Sequence, residues 1–104
     1  MISPCILVID KDVNLLINVE AVLNQAGYRV LTAHDDKQGL YLAQGALPDI
    51  ILCDVAKPSW GAVKRILAQD SRTASIPFIP VTKSLDRRDL VARVNLVIRN
   101  QAVA

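Results

Sequence analysis

The chain has one histidine, two cysteines, no glycine-rich phosphate loop and no apolar run close to the ~20 residues that span a bilayer. Each shortage removes a class of function. His34 has no second imidazole or cysteine near it in the sequence, which makes it a loop histidine rather than a metal ligand or a phosphohistidine. Cys5 and Cys53 lack the Cys-x-x-Cys spacing of a redox pair. On neighbouring parallel strands they fall ~13 Å apart at ~3.3 Å per residue, too far for a disulfide, and are expected as small reduced thiols. A basic segment leading into a long apolar stretch and a cleavage site is also lacking, so a cytoplasmic location and no membrane partner are expected.

Charge of one sign is equally scarce. The 12 basic and 10 acidic residues are interspersed and leave a net charge of +2, so charge points to no dedicated nucleic-acid or membrane surface. Arg87, Arg88, Arg93 and Arg99 alternate with Asp86 and Asp89, the composition of a solvated helical face rather than of a nucleic-acid stripe. No general base, nucleophile pair or cofactor loop accompanies the acids described below, and an enzyme is not expected. What is present is apolar: 52% of 104 residues, enough for the core of one domain.

That apolar material alternates between strand-length runs and stretches of helical period, which predicts four βα units and an α/β, doubly wound parallel sheet. Ile6-Leu7-Val8-Ile9 and Ile50-Ile51-Leu52 read as buried strands. Tyr28–Ala33 and Phe78–Thr82 complete the set, with Pro77 and Pro80 placing the fourth strand at a sheet edge. Asp12 is a cap for a helix with the stripe Leu15, Leu16, Val19, Val22, Leu23 and Ala26, ended by Gly27. Asp35 or Asp36 caps a short helix through Leu40 and Ala43, which Gly39 is expected to weaken. Val55 to Gly61 reads as a loop, and Val63, Ile66 and Leu67 mark the third helix. After Asp86, a last helix carries Leu90, Val91, Val94, Val97 and Ile98 to about Asn100.

Both buried runs stop on an acid, Asp10 and Asp54. Right-handed crossovers put the C-terminal ends of parallel strands on one edge, where such sheets bind ligands. Thr82 and Lys83 fall at the same edge. Two carboxylates, a hydroxyl and an ammonium group suit a phosphoryl group, which one carboxylate accepts while the others hold its oxygens. The alternative for each acid is that it only caps the helix that follows.

The runs Ile6-Leu7-Val8-Ile9-Asp10, Ala26-Gly27-Tyr28, Pro48-Asp49-Ile50-Ile51-Leu52-Cys53-Asp54 and Lys57-Pro58 resemble the receiver domain of two-component response regulators, over nearly the whole chain. The resemblance implies a flavodoxin-like fold, here with about four strands in the order 2-1-3-4, and Asp54 as phosphoryl acceptor. It further implies a histidine kinase, phosphotransfer protein or small phosphodonor as partner, magnesium held by Asp10 and Asp54, and Thr82 as the hydroxyl that senses the phosphoryl group, with Lys83 as candidate phosphate-binding lysine.

Two departures qualify these implications. Lys11 stands where the family carries a second, metal-holding acid, so the pocket's two acids and two lysines, Lys11 and Lys83, cancel in charge and no longer attract Mg²⁺. Lys11 either stands in for the metal, pairing with Asp10 and Asp54, or extends into solvent. Asp12 replaces the missing acid only by giving up its cap. The second departure is length. The chain, read as one domain over 1–104, passes from Thr82 and Lys83 straight to its last helix, without the additional helix and strand of the family. Thr82 and Lys83 are adjacent, so both face Asp54 only if the strand has ended. An uncovered fourth strand invites pairing, and a homodimer through that edge or by exchange of the terminal helix is expected. Two functions remain open: a truncated receiver phosphorylated on Asp54, or a pseudo-receiver that works as an adaptor without phosphorylation. Trp60, after Asp54, either packs on the next helix or contacts a partner.

Overall fold

The computed structural model describes residues 3–54, 60–81 and 86–103, the side chains of Asp54, Trp60 and 101–103 excepted. Among the described residues the order is β1 (Cys5–Ile9), α1 (Val13–Gln25), β2 (Arg29–Ala33), α2 (Asp36–Ala46), β3 (Ile50–Asp54), α3 (Trp60–Gln69), β4 (Phe78–Val81) and α4 (Arg87–Val103). The strands are all parallel and lie in the order β2-β1-β3-β4. This is the doubly wound arrangement that the alternating pattern predicts.

The two central strands are apolar up to the acid that ends β3 because both of their faces are covered. Ile6, Val8, Ile50, Leu52, Ile79 and Val81 point to one side, where Leu16, Val19 and Leu23 of α1 and Leu90 and Val94 of α4 close over them. Leu7, Ile9, Ile51 and Cys53 point to the other, against Ala43 of α2 and Val63 and Leu67 of α3. The stripes of α1 and α4 read from the sequence thus face the core, except for Ala26, which is the exposed C-cap of α1. Ile66 is different: it is largely exposed, and only Val63 and Leu67 of its set enter the core.

Helix ends follow local chemistry. Asp12 caps α1, its Oδ1 accepting the N–H groups of Asn14 at 3.0 Å and Leu15 at 3.2 Å. Gly27 takes φ +96 just beyond the C-cap Ala26, a conformation that glycine adopts without strain. Tyr28 donates its N–H to Leu23 O, so it belongs to this turn and β2 starts at Arg29, one residue later than its sequence suggests. Asp35, rather than Asp36, caps α2 through Gln38 N–H at 2.7 Å, and Gln38 Oε1 in return accepts the N–H of His34 at 3.0 Å. The helix outlasts its apolar stripe and ends on Leu47, held at φ 48 and ψ 63 before Pro48.

Two further boundaries differ from the sequence reading. Trp60 and Gly61 are not loop but the first turn of α3, where N–H groups need no intrahelical partner and glycine costs little. α4 continues past Asn100 to Val103, and β4 is described from Phe78 to Val81. Val55–Ser59 and Thr82–Leu85 lie outside the described residues.

Gly39 strengthens the molecule where propensity alone says it weakens a helix. A Cβ at this position would lie 2.6 Å from Ile9 Cδ1 and 3.0 Å from its Cγ1, so α2 approaches β1 this closely only without a side chain. Gly39→Ala is therefore expected to destabilise the protein by about 1–3 kcal/mol, despite its higher helix propensity, because Ile9 is packed in the core. Urea denaturation followed by circular dichroism measures it, and a stabilised variant would refute the packing account.

Candidate functional site

The register brings the two acids together. Ile9 pairs with Cys53 across β1 and β3, so one step further on Asp10 follows β1 beside Asp54, the last residue of β3. Asp54 pairs in turn with Val81, the last described residue of β4. Thr82 and Lys83 lie outside the described residues, as does the Asp54 side chain, so the structure fixes the backbone position of the acceptor candidate alone.

Asp10 is 3% exposed and held from two directions. Its N–H donates to Ala33 O at 3.0 Å, and its Oδ1 accepts the N–H of Asp12 at 2.9 Å. The second bond folds the β1–α1 turn back on the carboxylate, the local closure that Asp favours. Asp12 does not swing inward, since its Oδ1 serves α1. Between them Lys11 is exposed, with the solvated placement rather than a buried one.

This geometry decides how well the described residues fit a magnesium ion. One oxygen of Asp10 is already engaged by a backbone donor, Asp12 is committed to its helix, and the residue between them in sequence is the exposed Lys11 rather than a third acid. Among the described residues no three His, Cys, Asp or Glu side chains converge on a metal position. Magnesium prefers several hard oxygen ligands, and the described donors do not supply them.

Cys5, Asp49, Asp70 and Arg72 lie away from this edge, whereas His34 and Asp35 follow β2 beside Asp10. The Asp49 carboxylate accepts the N–H of Cys5 at 2.7 Å while its own N–H donates to Cys5 O at 2.8 Å, a two-way clasp between the start of β1 and the residue before β3. Burial pushes the Cys5 thiol up from its ordinary value, Arg29 opposing and Asp49 adding to the shift. Neither Cys5 nor Cys53 is in a disulfide. A cleft of about 790 Å³ lies at this opposite edge, lined by Arg29, Leu47, Asp49 and Ile98 among others, and contains none of the candidate residues. Asp70 is held below the usual carboxylate range by hydrogen bonds from Arg72. His34 is exposed, with Nδ1 3.5 Å from Asp35 Oδ2.

Sequence reasoning passed over Asp49 and read Asp36 only as a possible cap. The first needed the strand register to reveal its partner. The second stands in the first turn of α2 with Oδ1 buried and without a hydrogen-bond partner among the described residues; it was legible only as a possible cap.

Known proteins place the fold and the edge in a family. The chain is 32% identical over 88 residues to Protein PilH of Pseudomonas aeruginosa, covering 83% of this chain and 73% of that protein. It is 27% identical to the phosphate regulon transcriptional regulatory protein PhoB of the same organism, over 95% of this chain and 53% of PhoB. The DNA-binding dual master transcriptional regulator RpaA of Synechocystis is 38% identical over 81 residues, 76% of this chain and 34% of its own length. The chain thus spans about half of PhoB and a third of RpaA. No family model matches it. In fold, the chemotaxis response regulator CheY4 of Vibrio cholerae superposes with a TM-score of 0.85 at 21% identity, over 92% of this chain and 99% of CheY4.

A parallel 2-1-3-4 sheet with an acid at the end of each central strand defines a receiver-type α/β domain. The chain belongs to the receiver domains of two-component response regulators. Receivers of this family generally bind Mg²⁺ at an acidic pocket and interact with histidine kinases or phosphotransfer proteins. Among the described residues, no helix is long and apolar enough to cross a membrane.

Proposed function

We propose that this receiver takes part in a phosphorelay, with Asp54 as the phosphoryl acceptor. The observation that carries the reading is the register, which sets Asp54 at the C-terminal end of β3 beside the buried and hydrogen-bonded Asp10. In the transfer, an Asp54 carboxylate oxygen forms a bond to phosphorus as the bond from phosphorus to the donor breaks: an imidazole nitrogen of a histidine kinase or phosphotransfer protein, or the acetate oxygen of acetyl phosphate. Thr82, next after β4, donates its hydroxyl to the phosphoryl oxygens, and Lys83 is the second candidate to hold them. The protein is a signalling module and not an enzyme, acts in the cytoplasm, and needs neither nucleic acid nor a membrane. Residues 1–104 form one receiver domain shortened by one helix and one strand, a reading supported by the PhoB alignment, which runs over 122 residues against a chain of 104. It also self-associates.

The pseudo-receiver reading has an observation of its own: Lys11 occupies the place of an acid, and the neighbouring Asp12 carboxylate is engaged as the cap of α1. In that reading Lys11 supplies the positive charge next to Asp10 and Asp54 and the chain binds partners without phosphorylation. The two separate on incubation with acetyl phosphate and Mg²⁺ followed by intact mass. A phosphoryl adduct on the wild type, absent from Asp54→Asn, is expected. If both proteins stay unmodified, the acceptor role is abandoned in favour of the adaptor.

A further inference from the structure

The two edges of the sheet offer different things to a passing strand. At β4, Ile51 donates its N–H to Pro77 O, so residues 77, 79 and 81 face β3, and Phe78 and Pro80 stand on the outward side. Pro80 has no N–H, a device that blunts an edge against pairing. This makes the β4 edge, where the sequence suggests a dimer, the poorer of the two.

At β2 the hydrogen bonds Arg29 N–H to Pro4 O and Asp10 N–H to Ala33 O show that residues 29, 31 and 33 face β1. By alternation, the N–H and C=O groups of Val30 and Thr32 point away from the sheet. No hydrogen bond among the described residues occupies them. No proline or inward-pointing charge interrupts the strand, and Val30, Leu31 and Thr32 are half-buried where β1 is almost wholly buried. Helix α1 adds exposed Val13 and Ile17, which share a groove with Thr32 and His34.

We propose that the β2 edge is a self-association surface, filled by β2 of a second copy running antiparallel about a two-fold axis through Leu31. The strand is complementary to itself in two ways. With Leu31 at the centre, Val30 lies opposite the partner's Thr32 and Thr32 opposite the partner's Val30. Each such pair exchanges two hydrogen bonds, so every outward group is satisfied. A shift by two residues wastes them, because it sets Thr32 against Tyr28, whose N–H is already given to Leu23 O. Charge selects the same arrangement. Arg29 opens β2, Asp35 and Asp36 follow its other end, and antiparallel pairing brings each Arg29 to the acidic end of the other copy. An unrelated extended peptide would supply the backbone bonds without the charges, which is why the occupant is a second copy. An isologous contact of this kind closes as a dimer. Its small area makes it weak and concentration-dependent.

The proposal concerns the unphosphorylated chain and stands apart from the acceptor role of Asp54, so either can fail alone. Sedimentation equilibrium from the low micromolar to the millimolar range should show the average mass rising from one chain towards two. Thr32→Pro removes an outward N–H and no bond to β1, and should weaken association by about tenfold or more with an unchanged far-ultraviolet spectrum. Arg29→Glu should also weaken it, less so at high salt. Should the proline disturb folding, amide hydrogen exchange on the wild type decides. Val30 and Thr32 should exchange about tenfold slower in concentrated than in dilute protein, while Leu31, bonded to β1, stays as it was. A single-chain mass across the whole range overturns the proposal, and so does a dimer whose Val30 and Thr32 exchange ignores concentration.

Discussion

Lys11→Asp is expected to raise the affinity of the chain for Mg²⁺ by at least tenfold. The substitution replaces a positive by a negative charge at the residue following Asp10, which is buried at the edge where Asp54 ends its strand. A unit charge ~6 Å from a divalent ion is worth about 5–6 kcal/mol at an effective dielectric of ~20. Lys11 is exposed, and water and salt reduce this to a fraction. A tenfold change needs only ~1.4 kcal/mol, and the substitution acts twice, by removing a repulsion and by adding an oxygen ligand. Lys11→Ala, which does only the first, should fall between. Titration calorimetry with magnesium chloride at constant ionic strength measures all three. Equal affinities in wild type and Lys11→Asp would mean that Lys11 is not what separates this pocket from a metal site. Fold stability should hardly move, because the cap of α1 is Asp12 and not Lys11.

How this pocket was legible from sequence, and how far, follows from which interactions are local. Runs such as Ile6 to Ile9 and Ile50 to Leu52 declare buried parallel strands because both faces must be apolar, and that pattern survives without any knowledge of neighbours. Asp12, Gly27 and Asp35 declare helix ends because caps are satisfied within a few residues. Pro80 declares an edge strand for the same kind of reason. Gly39 was misjudged because its value lies in the approach of Ile9, thirty residues away in sequence, which helix propensity does not see. Asp49 was passed over because its partner Cys5 is brought to it only by the β1–β3 register. For the site, the placement of Asp10 and Asp54 at neighbouring strand ends was legible from position alone. The exposure of Lys11 depends on a turn conformation that the sequence leaves open; in the folded chain Lys11 is exposed, in the turn that the Asp10–Asp12 hydrogen bond closes.

The terminal helix offers the sharpest contrast between an apolar residue that builds the fold and one that does not. Val94 is 0% exposed and packs with Leu90 against the strand residues of one sheet face, whereas Leu96, two positions on, is 57% exposed. Val94→Asp buries a carboxylate with no cation on the facing elements: the cluster around it is made of Ile6, Val8, Leu52, Ile79, Val81 and other apolar side chains. Such a charge costs at least about 4 kcal/mol, a large part of the ~5–15 kcal/mol that a domain of this size possesses. Loss of the cooperative thermal transition at neutral pH is expected for Val94→Asp, while Leu96→Asp melts within a few degrees of the wild type. The effect should also depend on acidity. The buried carboxyl has its folded-state value raised, so its neutral form is tolerated at low pH and stability is lost as pH rises through that value. Partial recovery of the transition for Val94→Asp at acidic pH, relative to wild type under the same conditions, is the signature of desolvation rather than of a lost methyl contact. A Val94→Asp protein that melts like Leu96→Asp would show that α4 is not part of the core, and that β3 and β4 keep their positions without it.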